Sequence, residues 1–205
     1  MPHRYHELLF TPAVRAVQTA AGSRDMLAAE EGGETHRDQL GANEATFIAL
    51  RDSFYMASVG ETGWPYVQHR GGPQGFVRVF DQNTIGFADF AGNRQYVSVG
   101  NVLANDRVSL FFMDYPNRRR LKLLGRAKFI GDDTPDVVAE LAVPGYRARI
   151  ERGVLIKVEA FDWNCPQHIT PRHVDDESAA EIAALRKRVV ALEAELGERS
   201  QTSAR

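Results

Sequence analysis

Cysteine is almost missing from this chain. Among 205 residues only Cys165 carries a thiol, which excludes an internal disulfide and any cysteine-rich zinc site. An excess of charge of one sign is missing as well. Lys and Arg number 25 against 27 Asp and Glu, for a formal net charge of −2, so nucleic-acid binding across the whole surface is not expected. No run approaches the roughly 18 apolar residues needed to cross a bilayer, and residues 1–18 lack an apolar secretory core. A soluble, cytoplasmic protein with neither membrane nor nucleic acid as partner is the expectation. Catalytic signatures are equally scarce. There is no G-x-S-x-G elbow, no motif pairs two carboxylates, and His69, His168 and His173 lack metal-ligand spacing such as HExxH. No metal is therefore expected, and redox or transfer chemistry would need a bound organic cofactor.

What is present suits an ordinary globular domain: 43% hydrophobic residues, 25% charged, and enough apolar material for a sizeable core. Pro12–Ala21 reads as a short helix stopped by Gly22, and Ser23–Gly41 as a loop or arm. Asn43 is a candidate N-cap for a short helix whose apolar side carries Phe47, Ile48 and Leu50. From Phe54 onward the pattern changes to short strand-like runs: 54–59, 66–70, 76–80, 84–90, 108–113, 121–130 and 154–161. Many short, hairpin-spaced strands predict an antiparallel barrel or sandwich. Two helices interrupt them, over 93–103 and from Thr134-Pro135. In the tail, Ile182, Leu185, Val189, Leu192 and Leu196 form an a/d stripe ended by Gly197. That helix either packs on its own domain or makes a short coiled-coil contact across a dimer. The domain division is an arm over 1–41, a central domain over 42–173, and a helix with tail over 174–205.

Three segments could carry chemistry. In 84–95 a strand ends at Gly92-Asn93 and a helix is expected to follow at once, so free N–H groups and the positive end of its dipole favour an anion. Arg94, in that first turn, would add a charge-assisted contact to phosphate. The plainer alternative is a solvated arginine after a turn. In Gln68-His69-Arg70-Gly71-Gly72, adjacent glycines let the backbone bend or approach a ligand closely, while Arg70 and His69 offer donors; the alternative is a wide hairpin connection. In 161–172, Trp163 stands near Asn164, Gln167, His168 and Arg172, with Pro166 and Pro171 stiffening the loop. Such a loop suits a wall against a planar heteroaromatic ligand, or simply packs Trp163 into the core and leaves His168 half exposed. Cys165 reads as a small buried hydrophobe. Arg118, Arg120 and Lys122 would share one strand face, as a solvated edge or, for Arg120, as a phosphate contact.

Taken in order and spacing, the stretches 63–76 (GWPYVQHRGGPQGF), 88–94 (ADFAGNR), 105–112 (NDRVSLFF) and 121–127 (LKLLGRA) resemble the pyridoxamine 5′-phosphate oxidase-like family of FMN-binding split barrels. The similarity runs over roughly 43–172. It implies a mostly β fold with flanking helices, an antiparallel split β-barrel to which this chain adds its C-terminal amphipathic helix. It also implies a homodimer with flavin at the interface. By resemblance, the cofactor-binding residues are Gln68, His69, Arg70 and Gly71 on one strand, and Asp89, Asn93, Arg94 and Gln95 around the phosphate turn. Gln95 stands where the family has lysine. Arg120 falls near a flavin contact, and Trp163, His168 and Arg172 resemble the cluster that closes the oxidase site. The family's Arg-x-Val-Leu-Leu-Lys strand is replaced by Gln68–Pro73, so FMN binding is expected and pyridoxal-phosphate synthesis is not. The implied activity is an FMN-dependent oxidoreductase moving hydride through flavin N5, to or from a small-molecule substrate or nicotinamide donor. A flavin carrier, redox sensor or stress protein without turnover is the alternative. A change of ligand to a deazaflavin, or to a haem served by His69 and His168, is a third.

Overall fold

A computed structural model describes residues 4–29, 31, 38–131, 133–163, 166–172, 182–190 and 192. Seven strands form one antiparallel sheet: β1 Ser53–Val59, β2 Pro65–Gly71, β3 Val77–Asp81, β4 Thr84–Phe90, β5 Arg107–Asp114, β6 Arg119–Ile130 and β7 Ile150–Trp163. Among the described residues of the same unit, the helices are α1 Arg4–Leu9, α2 Pro12–Ala20, α3 Arg24–Ala28, α4 Ala42–Ala49, α5 Val97–Ala104 and α6 Pro135–Glu140. All seven expected strands are present.

The strand order is β2-β1-β5-β6-β7-β4-β3. The sheet is therefore open, with β2 and β3 as its edges, and among the described residues no ladder closes it into a barrel. One face of each long strand turns inward with the two-residue period of the pleat. Phe54 and Met56 of β1, Leu110 and Phe112 of β5, Leu121 and Leu123 of β6, and Val154, Ile156 and Val158 of β7 build the core. Aromatic packing concentrates at its centre: Phe54 stacks on Phe112 with centroids 4.8 Å apart and meets Phe87 edge-on at 5.2 Å.

Of the described residues, 115–118, 167–172, 182–190 and 192 belong to a compact unit distinct from the one that holds the sheet. Within that unit, residues 182–190 are helical, and Ile182, Leu185, Val189 and Leu192 are all exposed. Leu196 and Gly197 of the same stripe, together with Cys165, Asn164 and His173, lie outside the described residues.

Several local expectations need correction. The segment expected to be a loop from Ser23 contains α3, anchored where Arg24 pairs with Glu31 at 2.6 Å. Arg4–Leu9 is helical although nothing in its pattern announced it. α4 is capped by Gly41 rather than Asn43, because Glu44 reaches back to accept from the Gly41 N–H at 2.9 Å. α5 starts at Val97, four residues later than expected, because Arg94 and Tyr96 adopt left-handed backbone at φ 61° and 53°. Arg118 also has positive φ and lies in the turn before β6, so it does not share a strand face with Arg120.

Two glycines give the packing a sharp test. Gly125 sits at the register shift where β7 carries one extra residue, Glu159, against β6. A Cβ there would stand 2.7 Å from Ile156 Cγ2 and 2.8 Å from the Lys157 carbonyl oxygen. Gly100, inside α5, has nothing within 4 Å of the same atom. Gly125→Ala is expected to destabilise by about 1–3 kcal/mol through overpacking. Gly100→Ala is expected to stabilise by roughly 0.5–1 kcal/mol through helix propensity. Opposite shifts in urea midpoint at an unchanged m-value are the outcome to look for.

Candidate functional site

Alternation along β2 sends Tyr66, Gln68 and Arg70 to one face, and α5 is held beside it by two side-chain bonds. Ser98 Oγ donates to Gln68 Oε1 at 2.8 Å, and Asn101 Nδ2 donates to Ser58 Oγ of β1 at 3.0 Å. With the end of β4 and the loop after it, these elements enclose a cleft of about 180 Å³. Six of the twelve residues singled out from sequence line it: Gln68, Arg70, Asp89, Asn93, Arg94 and Gln95. Tyr66, Tyr96 and Glu151 line it as well and were not anticipated. Tyr66 was readable as the i−2 neighbour of Gln68 on a strand. Glu151 comes from β7, whose register against β4 no local pattern reveals.

Charge in the cleft is largely neutralised internally. Arg70 Nη1 pairs with Asp89 Oδ1 at 2.6 Å and Arg152 Nε lies 3.3 Å from Asp89 Oδ2; Arg70 and Asp89 are both nearly buried. Burial holds the Asp89 carboxyl above the usual carboxylate range, with the two guanidiniums pulling the other way. Burial alone would also raise Glu151, but its hydrogen bonds and charge contacts with Arg152 and Arg149 outweigh it and lower that group. Those bonds span 2.9 Å and 3.1 Å. Arg94 is different. It is exposed at the mouth of the cleft and makes no ion pair among the described residues, and the Tyr96 side chain, followed by the charge of Glu151, keeps its guanidinium firmly protonated.

The backbone adds to this. Asn93 Oδ1 accepts from the Gln95 N–H at 3.1 Å, closing a local turn. The left-handed residues 94 and 96 then lead into α5, whose cap, Tyr96, offers its first turn no side-chain acceptor. Uncapped N–H groups beside a guanidinium that makes no ion pair among the described residues are a donor set for a phosphate or other oxyanion. Buried Arg70 Nε, also at this cleft, has no hydrogen-bond partner. The donors suit the phosphate end of FMN. The volume is below the several hundred Å³ of a pocket that encloses a drug-sized ligand, so a tricyclic ring would extend past the mouth.

The other candidates lie elsewhere. His69 points to the opposite face of β2 and meets the Tyr55 ring edge-on at 5.7 Å, and Gly71 abuts the same imidazole. Arg120 is half-buried on β6 and its Nε has no hydrogen-bond partner. Trp163 is a strut: its Nε1 donates to Glu44 Oε1 at 2.8 Å, its ring meets Phe47 edge-on at 4.7 Å, and Arg119 covers it at 4.5 Å. In the separate unit His168 is exposed with φ 62°, and Arg172 lies over the Tyr115 ring at 4.9 Å. The basic run after Arg118 is mostly paired, Lys122 with Asp162 at 3.0 Å and Arg126 with Asp106 at 2.8 Å. Among the described residues, no group of three His, Cys, Asp or Glu could hold a metal ion, and no helix is long and apolar enough to cross a membrane.

Residues 40–164 match the pyridoxamine 5′-phosphate oxidase family. None of the curated proteins matches. Among solved structures, HupZ of Group A Streptococcus superposes with a TM-score of 0.51 at 15% identity, covering 65% of this chain and 100% of that one. A putative pyridoxamine 5′-phosphate oxidase from Lactobacillus delbrueckii gives 0.46 at 19% identity, covering 60% and 93%. An FMN-binding protein from Syntrophomonas wolfei gives 0.46 at 10% identity, covering 75% and 95%. The likeness to HupZ is one of fold.

Two variants test the charge arrangement. Arg70→Met leaves buried Asp89 with Arg152 alone and is expected to cost about 3 kcal/mol, the scale for breaking one side of a buried pair; a loss under about 1 kcal/mol in urea unfolding contradicts this. For Glu44, burial acts upward, but hydrogen bonds from Trp163, Asn43 and Gly41 win and its pKa falls below the ordinary 4.5. A lowered carboxyl pKa stabilises the fold above pH 4.5, and that contribution is lost as pH falls through the folded value. The deficit of Glu44→Gln relative to the parent should therefore be largest near neutrality and shrink below pH 4.5.

Proposed function

The chain belongs to the pyridoxamine 5′-phosphate oxidase family, and on that premise we propose that it is an FMN-binding flavoprotein acting as an oxidoreductase. The observation that carries the reading is Arg94: an exposed cation without an ion pair among the described residues, held at the uncapped start of α5 on the rim of a polar cleft. In this reading Arg94 and the first N–H groups of α5 clasp the phosphate, with Asn93 and Gln95 at its edge. Arg70 keeps its charge on Asp89 and turns its spare Nε toward the ligand. Gln68, fixed by Ser98, lies along the path toward the ring. The sheet is read as the open half of a split barrel, spanned by Arg70–Asp89 where no ladder closes it.

Bound FMN would supply a ring able to accept or deliver a hydride at N5, so the chain's own task is binding, orientation and electrostatics. Tyr96 and Val97, exposed apolar residues at the mouth, offer the ring a surface that water covers poorly. A second copy of the chain completes the cover in this reading, making the protein a homodimer with flavin at the interface. A small molecule or a nicotinamide donor would exchange the hydride.

One observation favours a second reading, a flavin carrier or redox sensor without turnover. Both carboxylates of the cleft, Asp89 and Glu151, are engaged by arginines, which leaves neither as a ready acid or base. Anaerobic bleaching of the bound flavin by a nicotinamide donor at enzymatic rates supports the oxidoreductase; flavin that stays oxidised supports the carrier.

The purified protein is expected to be yellow, or to take up added FMN with quenching of flavin fluorescence. Arg94→Ala should weaken FMN binding by about 1.5–3 kcal/mol, the range for a hydrogen bond to a charged group. Titration calorimetry giving the parent's affinity in a folded variant would remove Arg94 from the site.

A further inference from the structure

The helical segment 182–190 carries an apolar face that its own unit leaves exposed. Ile182 is 48% exposed, Leu185 58% and Val189 52%, and Leu192, close behind on the same stripe, 41%. Four large apolar side chains on one stripe of a solvated helix are unfavourable unless something covers them.

We propose that a second copy of this helix covers the stripe, in parallel and in register. Two features of the sequence select this occupant. With Ile182 at position a, the heptad places Ile182, Val189 and Leu196 at a, and Leu185 and Leu192 at d. Branched side chains at a with leucine at d are the combination that favours two parallel strands. The flanking charges agree. In a parallel pair, a g residue faces the e residue five positions on in the partner helix. Glu181 at g then faces Arg186 at e, and Arg188 at g faces Glu193 at e, so each contact unites opposite charges and occurs twice across the seam.

The antiparallel arrangement fails the same examination. There g faces g, which sets Arg188 against the Arg188 of the other copy when the helices cross at their midpoint, and Glu181 against Glu195. Charge thus chooses direction as well as partner. The seam spans only about two heptads, short for a free-standing coiled coil, so proximity and direction are the quantities to measure. The inference does not depend on flavin or on the family.

Parallel register brings each d residue beside its own copy, which suits disulfide trapping. In the full chain with Cys165→Ser, Leu185→Cys is expected to form a covalent dimer readily under mild oxidation. Lys187→Cys, at outward-facing f, should form several-fold less. Adding Arg188→Glu to the Leu185→Cys chain sets two carboxylates face to face, one at position 188 and the other the native Glu193, and should reduce trapping several-fold. Further adding Glu193→Arg reverses the original pair and should restore it. In an antiparallel pair positions 188 and 193 do not face each other, so that last exchange would restore nothing. Equal trapping at 185 and 187, or failure of Glu193→Arg to rescue, would overturn the proposal. Absence of a covalent dimer at 185 would do the same and assign the stripe to packing on its own chain. Circular dichroism on each variant keeps a folding defect separate from loss of contact, and Leu192→Cys repeats the trapping at a second d position.

Discussion

The Arg70–Asp89 ion pair bears on everything around the cleft. It joins an edge strand, β2, to β4 near the opposite edge, at the place where the sheet has no ladder to close it. The pair is nearly buried, and isolated charges in such a place would be very costly. If Asp89 moves, Arg70 loses its carboxylate, and if Arg70 moves, Asp89 keeps only Arg152. That mutual requirement fixes how the face of β2 carrying Tyr66 and Gln68 stands relative to the end of β4. Arg152 extends the contact to β7, and Glu151 and Arg149 continue it. A chain of alternating charges thus does along one flank what backbone hydrogen bonds do between paired strands.

This use of charge has a consequence for recognition. Asp89 and Glu151 would repel an anion if they were free, but their charges are already engaged by arginines that belong to the framework. Arg94 stands apart from those ion pairs and keeps its guanidinium at the rim. The division resembles a scaffold and a probe: Arg70 and Arg152 hold the shape, and Arg94 is presented. α5 contributes its uncapped first turn at the same corner, positioned by Ser98 on Gln68 and Asn101 on Ser58.

Much of the fold could be read from local pattern because the strands alternate cleanly and are bounded by turn residues. Phe54, Met56, Leu110, Phe112, Leu121 and Leu123 all fall on inward positions that a two-residue period predicts. What local pattern missed has physical causes. α1 and α3 are one- or two-turn helices, too short for a periodicity to emerge. The delayed start of α5 depends on left-handed backbone at Arg94 and Tyr96, residue types with no special preference for it. Trp163 could be read either as a ligand wall or as packing in the core, and it packs against the core; its partner Glu44 lies far away in sequence, so local pattern could not choose between the two. Within the cleft, Gln68, Arg70 and Arg94 were legible through the family resemblance and strand alternation. Glu151 and Arg152 were not, because their place depends on the β4–β7 register.

The left-handed pair at Arg94 and Tyr96 also bears on the energetics of any encounter at that corner. Residues with a Cβ take up this backbone region at a cost of order 1–3 kcal/mol each, and here the cost falls within the folding equilibrium, before any guest arrives. In the proposed reading, an incoming oxyanion would meet a backbone whose left-handed turns are already formed. Less of its interaction energy is diverted into ordering the host, so modest contacts can yield firm retention.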